Sequence, residues 1–357
     1  MRRAGRHPER KSAPRRAGHC RGMTLVELMI ALALSLLLAI AVVQLFIGNK
    51  KTFLLQESTA RLQENGRFAL TFIGSDIRAS GYAGCISDRN QINNTLNGGD
   101  TSPLWGFTRV VQGFDASGAG WDPDWTAAAY SDFSFNNALV GTDILTLHTV
   151  DRASVKANQA GNFMSQGIAD IVLQRNPGLE KGDIIFITDC DRGAITQITG
   201  PDDMGLVLQH AAEGDDPGNA SAALGHAFNN AEVFALRATS YFVAPGAGGR
   251  PALWRQVNDD PPEELIRGVE NMQVLYGVAD DVDDWGTVSR YLTAAEVEAG
   301  NLWEQVAAVR IHLLLQSDNP VLEQAQTYRF NNTTTTADDR RVRREFTTTV
   351  GVRNRIL

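Results

Sequence analysis

The longest apolar run in the chain extends from Met23 to Ile47 and carries a single charge, that of Glu27. From Leu28 to Ile47 there are 20 residues without a charge, and only two of them are polar. A helix rises about 1.5 Å per residue, so this run matches a hydrocarbon core of about 30 Å. A buried core helix is the alternative, but such helices are usually shorter and more amphipathic. The run therefore predicts a membrane-spanning helix over residues 23–48.

Helical patterning continues through residues 49–81. Apolar residues there recur mostly at spacings of three and four, which is the pattern of an amphipathic helix. They are Phe53, Leu54, Leu62, Phe68, Ala69, Phe72, Ile73 and Ile77. Gly66 and Gly74 weaken the helix, and Gly81 is a stop signal. The a/d heptads of a coiled coil are not sustained, so we expect one helix from about residue 24 to residue 80, roughly 85 Å long.

The second half of the chain has the pattern of short strands. The clearest is the segment 306–316, where Val309, Ile311 and Leu313 alternate with polar residues. Predicted strands cover 143–149, 183–188, 194–199, 206–209, 232–243, 252–257, 272–278, 306–316 and 345–352, with one short helix over 293–299. Residues 86–135 are rich in Asn, Gly, Asp and Trp and predict long surface loops. The expected fold class is α+β, a mainly antiparallel β head packed on the long helix.

Charge is distributed unevenly along the chain. The 357 residues have a net charge of −8, but residues 1–22 hold eight of the 33 basic residues and one of the 41 acidic ones. Without residues 1–22 the net charge is −15, because 25 basic and 40 acidic residues remain. Basic residues before an apolar span favour keeping that end in the cytoplasm. We therefore expect the residues after the span to be exported.

The junction between the basic segment and the apolar run carries a specific motif, Arg21-Gly22-Met23-Thr24-Leu25-Val26-Glu27-Leu28. It closely resembles the class III signal of type IV prepilins and of type II secretion pseudopilins. The resemblance implies that a membrane peptidase cuts between Gly22 and Met23 and methylates the new amine of Met23. It also implies that Glu27 pairs with the N-terminal amine of a neighbouring subunit and sets its register. Met23 departs from the phenylalanine that many family members have there.

Five further segments narrow the resemblance to the PilW family of minor pilins. They are residues 75–85, 182–198, 264–281, 305–315 and 344–355. Membership of that family implies a structural role in type IV pilus assembly, without catalysis and without a cofactor. It implies four parts: a cleaved leader (1–22), a transmembrane helix (23–48), its amphipathic continuation (49–81) and a periplasmic head (82–357). A minor pseudopilin of a type II secretion system is the neighbouring alternative.

The family also implies where the protein works and with what. Its place is the inner membrane, with a single span and incorporation in or near the pilus tip. Its partners are other minor pilins, the major pilin, the prepilin peptidase and the assembly platform in the inner membrane. No nucleic acid is expected among them.

The three cysteines are too few for a disulfide-built scaffold. Cys20 lies in the leader and leaves with it, so Cys85 and Cys190 remain as an even pair in a domain expected to face an oxidising periplasm. A disulfide between them is the favoured interpretation. A metal site is disfavoured, because no histidine or further cysteine stands at ligand spacing around either one.

The sequence disfavours catalytic and metal-binding chemistry elsewhere in the chain. The sequence contains no hydrolase, metalloprotease or phosphate-loop motif, and we expect no enzyme activity. The histidines left after cleavage (His148, His210, His226 and His312) are scattered. The acidic run 280–286 lacks the spacing of a calcium loop, which favours a solvated turn.

Two binding alternatives stay open. A DNA-binding pilin would use the C-terminal arginines, which are Arg340, Arg341, Arg343, Arg344, Arg353 and Arg355. Charge pairing with acidic neighbours is the favoured interpretation of those arginines. A tip adhesin would use Trp105, Trp121 and Trp125, which could equally be buried anchors.

Overall fold

The computed structural model describes residues 22–86, 88–99, 102, 104–106, 109–127, 135, 137–151, 154–202, 205–214, 216–279 and 287–354. The chain divides into two compact units, residues 1–54 and residues 55–357. The first unit holds the beginning of the long helix, and the second holds the rest of that helix and all the strands. The one long N-terminal helix and the mainly antiparallel β head confirm the α+β arrangement.

Helix α1 spans Leu25–Ala79 and has 55 residues. It ends where the sequence predicts, because Gly81 adopts a φ of +76°, a backbone conformation that side chains disfavour. A Cβ atom on Gly81 would lie 2.0 Å from the carbonyl oxygen of Asn354. The Gly81 N–H donates to the carbonyl oxygen of His148 at 2.8 Å. The chain turn after α1 is therefore fixed by contacts to two distant segments.

The strands in chain order begin with a first group: β1 Ile92–Asn94, β2 Val111–Ser117, β3 Gly120–Asp122, β4 Ile144–Val150, β5 Val155–Ala157, β6 Ile171–Val172, β7 Ile184–Thr188, β8 Gly193–Gln197 and β9 Val207–Leu208. A second group follows: β10 Ala231–Pro245, β11 Pro251–Val257, β12 Glu263–Arg267, β13 Val269–Val278, β14 Arg290–Leu292, β15 Val306–Gln316, β16 Thr327–Phe330, β17 Thr333–Thr336 and β18 Arg343–Gly351. The short helix α2 spans Ala294–Ala299, and single 3-10 turns lie at Arg89–Gln91 and Trp303–Gln305. Every predicted strand segment contains a strand, and α2 confirms the predicted short helix.

Within the described residues the strands form two larger sheets. A ten-stranded sheet has the order β1-β8-β7-β10-β4-β2-β3, with β5 and β11 also on β10 and β12 on β11. A four-stranded sheet has the order β14-β13-β15-β18. The ladders are antiparallel except the parallel pair β1–β8. The small ladders β16–β17 and β6–β9 complete the head.

The prediction of loops over residues 86–135 was wrong in part, because β1, β2 and β3 lie there. Strand β2 has the sequence VQGFDAS, in which Val111 and Phe114 are three positions apart and lie on opposite faces, so no alternation of apolar residues marks the strand. Its residues Val111 and Phe114 are nevertheless buried. Strand β2 pairs with β4, so its place in the sheet depends on a partner that the local pattern does not show.

Asp143 joins the two larger sheets and is almost fully buried, at 4% exposure. Its Oδ1 accepts from the N–H of Ala116 in β2 at 2.9 Å, and its Oδ2 accepts from the N–H of Val274 in β13 at 2.8 Å. Burial raises the pKa of Asp143 to about 7, with a further contribution from the charge of Asp115 and against the effect of the two donated bonds. One titrating carboxyl group thus bridges the two sheets.

Candidate functional site

The start of α1 is organised by a local hydrogen-bond pair between Thr24 and Glu27. The Glu27 N–H donates to Thr24 Oγ1 at 3.2 Å, and the Thr24 N–H donates to Glu27 Oε2 at 2.9 Å. This reciprocal arrangement is a capping box, which satisfies two N–H groups at the start of a helix. The sequence T-x-x-E carries the signal for it, but sequence reasoning considered Glu27 for its charge alone and missed the cap.

The capping box fixes the position of the Glu27 carboxylate. Thr24 Oγ1 also lies 3.1 Å from Oε2, so in the described part of the chain every hydrogen bond to this carboxylate uses Oε2. Oε1 accepts no hydrogen bond from the described residues. Gly22 and Met23 precede the cap, and Met23 is 64% exposed. The predicted cleavage point thus lies in exposed chain just before the first helical turn.

The apolar run that follows is exposed throughout. Within the described residues, one helix is long and apolar enough to cross a membrane, with a mean hydropathy of 2.8 and no buried residue in its most apolar stretch. Each large apolar side chain from Leu25 to Ile47 is at least 46% exposed. Leaving this much apolar surface in water is unfavourable, by about 25 cal/mol per Å². By its length and composition the segment is therefore suited to an apolar surrounding such as lipid.

The second half of α1, within the head unit, packs through small residues. Gly66 lies against the ring of Phe346 in β18, where an added Cβ would come within 2.7 Å of three ring atoms. Gly74 lies beside Val350 of the same strand, where an added Cβ would be 3.5 Å from a Val350 methyl carbon. Leu62, Ala69, Ile73 and Ile77 are also buried on this face. Sequence reasoning treated the two glycines as weaknesses, whereas they permit close approach of helix and sheet.

The predicted apolar face of α1 was correct for those four residues and wrong for the other four. Phe68 and Phe72 are 42% and 44% exposed, and Phe53 and Leu54 are exposed as well. The spacing of apolar residues places them near the buried stripe, but the glycines occupy the positions that contact β18. Phe68 and Phe72 lie outside that contact, and the Arg67 guanidinium lies over the Phe68 ring at 5.7 Å.

Polar contacts hold the end of α1 on the head. Tyr241 of β10 donates its hydroxyl proton to Asp76 Oδ2 at 2.6 Å. Burial and the neighbouring charge of Asp76 raise the pKa of Tyr241. Thr149 of β4 donates to the carbonyl oxygen of Ala79 at 2.9 Å, and Asn354 donates to that of Arg78 at 3.0 Å. Two carbonyl groups in the last turn of the helix therefore accept hydrogen bonds from two different segments of the head.

Cys85 and Cys190 form a disulfide, as predicted. Cys85 follows α1, and Cys190 lies in the turn between β7 and β8 with a φ of +77°. The bridge joins residues that are 105 positions apart and ties the exit of the helix to the ten-stranded sheet. Cys20, like the rest of residues 1–21, lies outside the described residues.

The four histidines do not come together. His148 is buried in β4, His210 Nε2 lies 2.9 Å from the carbonyl oxygen of Ala169, His226 lies 3.0 Å from Asp189, and His312 lies 2.7 Å from Glu345. Among the described residues no group of three His, Cys, Asp or Glu side chains is placed to hold a metal ion. The acidic run 280–286 lies outside the described residues.

The C-terminal arginines divide into two kinds. Arg343 has a 5% exposed side chain and pairs with Glu270 at 2.7 Å and with Asp339 at 2.6 Å. Arg341 also pairs with Asp339, at 3.2 Å. These two follow the predicted charge pairing. Arg340, Arg344 and Arg353 are exposed, and Arg355 lies outside the described residues.

The three tryptophans considered for adhesion serve as anchors. Trp105 is buried, and Trp121 and Trp125 pack against the same hydrophobic cluster. The Trp121 indole N–H donates to the carbonyl oxygen of Thr142 at 2.8 Å. The structure therefore gives these side chains a packing role in the head.

Comparison with known proteins gives two family matches at separate places in the chain. Residues 240–354 match the family described as Type IV Pilus-assembly protein W, and residues 18–43 match the Prokaryotic N-terminal methylation motif. No curated protein and no solved structure matches the chain. Three of the five segments behind the sequence resemblance fall within the first match or extend one residue beyond it. The chain is therefore similar to PilW-type pilus-assembly proteins over its C-terminal third and to prepilin-type signals at its N-terminal end, where an apolar helix suited to membrane anchoring begins, and both matching families are pilus components rather than enzymes.

Proposed function

We propose that this chain is a minor pilin that is cut between Gly22 and Met23, methylated on Met23 and packed through α1 into a type IV pilus. One observation carries the proposal. The methylation motif coincides with a capped, fully exposed apolar helix in a chain whose C-terminal third matches a pilus-assembly family. Such a helix has no partner within its own unit, and a bundle of like helices would cover it.

Glu27 sets the register of that packing. A carboxylate in an apolar bundle is costly unless a cation pairs with it. The capping box holds Oε2, so Oε1 can accept from the methylated amine of a neighbouring subunit. Pairing at one axial position favours that register over its neighbours, since any other leaves both charges unpaired. Its contribution lies in specificity more than in net stability.

The charge distribution supports the orientation of the protein in the inner membrane. Residues 1–22 stay in the cytoplasm, residues 23–48 cross the membrane, residues 49–81 continue the helix, and residues 82–357 form a periplasmic head. The Cys85–Cys190 disulfide is consistent with an oxidising compartment. Partners in this role are other minor pilins, the major pilin, the prepilin peptidase and the assembly platform. Incorporation in or near the tip follows from the minor-pilin role.

Intact-mass analysis of the protein purified from membranes tests the processing step. We expect the mass of residues 23–357 with one added methyl group. A Gly22→Val variant, in which a branched side chain occupies the cleavage point, should keep the leader and serves as the control. Any other N-terminus in the wild-type protein, or an unprocessed wild-type chain in cells that process their major pilin, contradicts the proposal.

A further inference from the structure

Strand β18 lies at the edge of the four-stranded sheet. It pairs with β15 from Arg343 to Gly351 without a register shift. On its other side it pairs with no strand among the described residues. An edge strand presents unpaired N–H and C=O groups, which can accept an added strand.

The direction of these backbone groups follows from the two ends of the strand. Just after β18, the Val352 N–H donates to the carbonyl oxygen of Ala307 in β15 at 2.9 Å. At its start, the Arg343 N–H donates to Gln326 Oε1 at 2.7 Å, and Gln326 Nε2 donates to the Arg343 carbonyl oxygen at 3.0 Å. Backbone groups alternate sides along an antiparallel strand. The backbone N–H and C=O groups of the odd-numbered residues of β18 therefore point away from β15.

The open part of the edge comprises Thr347, Thr349 and Gly351. All three are exposed, and in the described part of the chain no hydrogen bond involves their outward N–H or C=O groups. The Gln326 side chain bonds the outward N–H and C=O groups of Arg343, as the backbone of a neighbouring strand would. The unpaired groups from Thr347 to Gly351 cover about the length of a short natural strand.

The surroundings of this edge are basic. Helix α1 runs along β18, since Gly66 contacts Phe346 and Gly74 contacts Val350. Four exposed arginines flank the strand and have no ion pair among the described residues: Arg67, Arg78, Arg344 and Arg353. The Arg344 guanidinium lies over the Phe346 ring at 5.5 Å. In a chain with an overall acidic charge, this concentration of unpaired positive charge favours an acidic ligand.

We propose that the β18 edge from Thr347 to Gly351 binds an extended, acidic segment of a partner polypeptide as an added strand. Backbone hydrogen bonds supply the attachment, and the four arginines select for negative charge. A second copy of β18 does not fit, because antiparallel pairing would bring the arginines of both strands together. The site is independent of cleavage at Met23 and of the register set by Glu27.

Site-specific cross-linking tests the proposal in the full-length protein, in cells that assemble the pilus. A photoreactive amino acid replaces Thr347, and the cross-linked peptide is identified by mass spectrometry. We expect one discrete product whose partner peptide carries a net negative charge. No product, a neutral or basic partner peptide, or a peptide from a second copy of this chain would overturn the proposal.

Two variants at Thr349 separate an added strand from a side-chain contact. Thr349→Pro removes an N–H that faces away from β15, so the sheet keeps its own bonds. It should lower the cross-link yield about tenfold, whereas Thr349→Ala should change it less than about twofold. Equal yields from the two variants would exclude strand addition. Failure of Thr349→Pro to fold would show that this N–H bonds to β15, and that also overturns the proposal.

Charge reversal tests the role of the arginines. Arg78→Glu combined with Arg344→Glu should reduce the yield by at least about tenfold, because an acidic strand would then meet like charges. Arg192→Glu, at an exposed arginine in the β7–β8 turn, is the matched control and should leave the yield unchanged. Equal losses from both would remove the electrostatic part of the proposal.

Discussion

The two halves of α1 share one secondary structure but differ in how they are buried. Residues 25–54 have no buried residue, whereas residues 55–79 contain six, namely Leu62, Gly66, Ala69, Ile73, Gly74 and Ile77. The first half presents large apolar side chains in every direction. The second half presents one narrow stripe in which three small residues lie among three large aliphatic ones. The first half is therefore adapted to an apolar surrounding, and the second is fitted to one particular sheet.

This difference predicts that the first half of α1 affects assembly and the second half affects folding. Since the first half has no contacts in its own unit to lose, substitutions there should leave the head intact and change only association. Substitutions in the second half or in the head should change the free energy of unfolding. Assembly and unfolding measurements on the same variants separate these two outcomes.

The largest effect is expected at Glu27. Glu27→Ala should leave membrane insertion intact but reduce incorporation into pili at least about tenfold, because the partner amine loses its counter-charge in an apolar setting. Glu27→Gln keeps a side chain that can complete the capping box but carries no charge. Immunoblots of membranes measure insertion, and immunoblots of sheared pili measure incorporation. Wild-type assembly by Glu27→Gln would assign this residue to helix capping alone.

The next largest effect concerns the disulfide of the head. Replacing Cys85 and Cys190 by serine opens a loop of 105 residues, which the chain-entropy treatment values at about 4–5 kcal/mol as an upper bound. Urea unfolding of the full-length protein in detergent measures the loss. Wild-type protein treated with reductant is the control and should show the same loss. Unchanged stability in both would mean that the bridge does not constrain the unfolded chain.

The sequence was most informative where one local pattern decides the structure. Uniform hydropathy from Leu28 to Ile47 specifies a helix without reference to any partner, and the alternation in 306–316 predicts β15 with its observed bounds. The Thr24–Glu27 capping box is equally local, and attention to the charge of Glu27 obscured it. Each of these features depends on one continuous segment of the chain.

Sequence reasoning failed where distant residues decide the structure. Gly66 is locally unfavourable in a helix, but the ring of Phe346 occupies the space its side chain would need. Phe68 and Phe72 have helical spacing yet lie outside the contact with β18. Strand β2 exists because β4 pairs with it. Such contacts link segments far apart in the chain, so no local periodicity reports them.

The third effect concerns the glycine contact in the second half of α1. Gly66→Ala places a Cβ 2.7 Å from the Phe346 ring. Displacing the ring costs about 1–3 kcal/mol, which outweighs the gain in helix propensity of up to about 1 kcal/mol. Gly48→Ala, which meets nothing within 4 Å, is the matched control and should not destabilise. Thermal unfolding of the full-length protein distinguishes the two.

A double variant makes this test more specific. Adding Phe346→Leu to Gly66→Ala should recover part of the lost stability, because the two side chains share one space and their effects are not additive. Additive losses would show that Gly66 acts through its backbone rather than through contact with the ring.

The smallest effect is a pH dependence confined to the head. Burial raises the pKa of Asp143 to about 7 in the folded state, above the ordinary value of about 3.9 in the unfolded chain. A raised folded-state pKa means that the stabilising protonated form is present at low pH and is lost as the pH rises through 7. Linkage gives a loss of about 1 kcal/mol between pH 6 and pH 8. Unfolding in detergent across that range measures it.

The control variants isolate Asp143 from other titrating groups. Asp143→Asn should flatten the profile while lowering stability at pH 6, since the amide NH2 group is a donor and would replace one of the two oxygens that accept from Ala116 and Val274. Asp124→Asn should leave the profile unchanged, because hydrogen bonds from Thr126 lower the pKa of exposed Asp124 and keep its titration below this range. Glu27→Gln should also leave it unchanged, since that residue belongs to the half of α1 without buried residues. A profile that flattens in Asp124→Asn or Glu27→Gln would mean that the junction between the two sheets is not the source of the dependence.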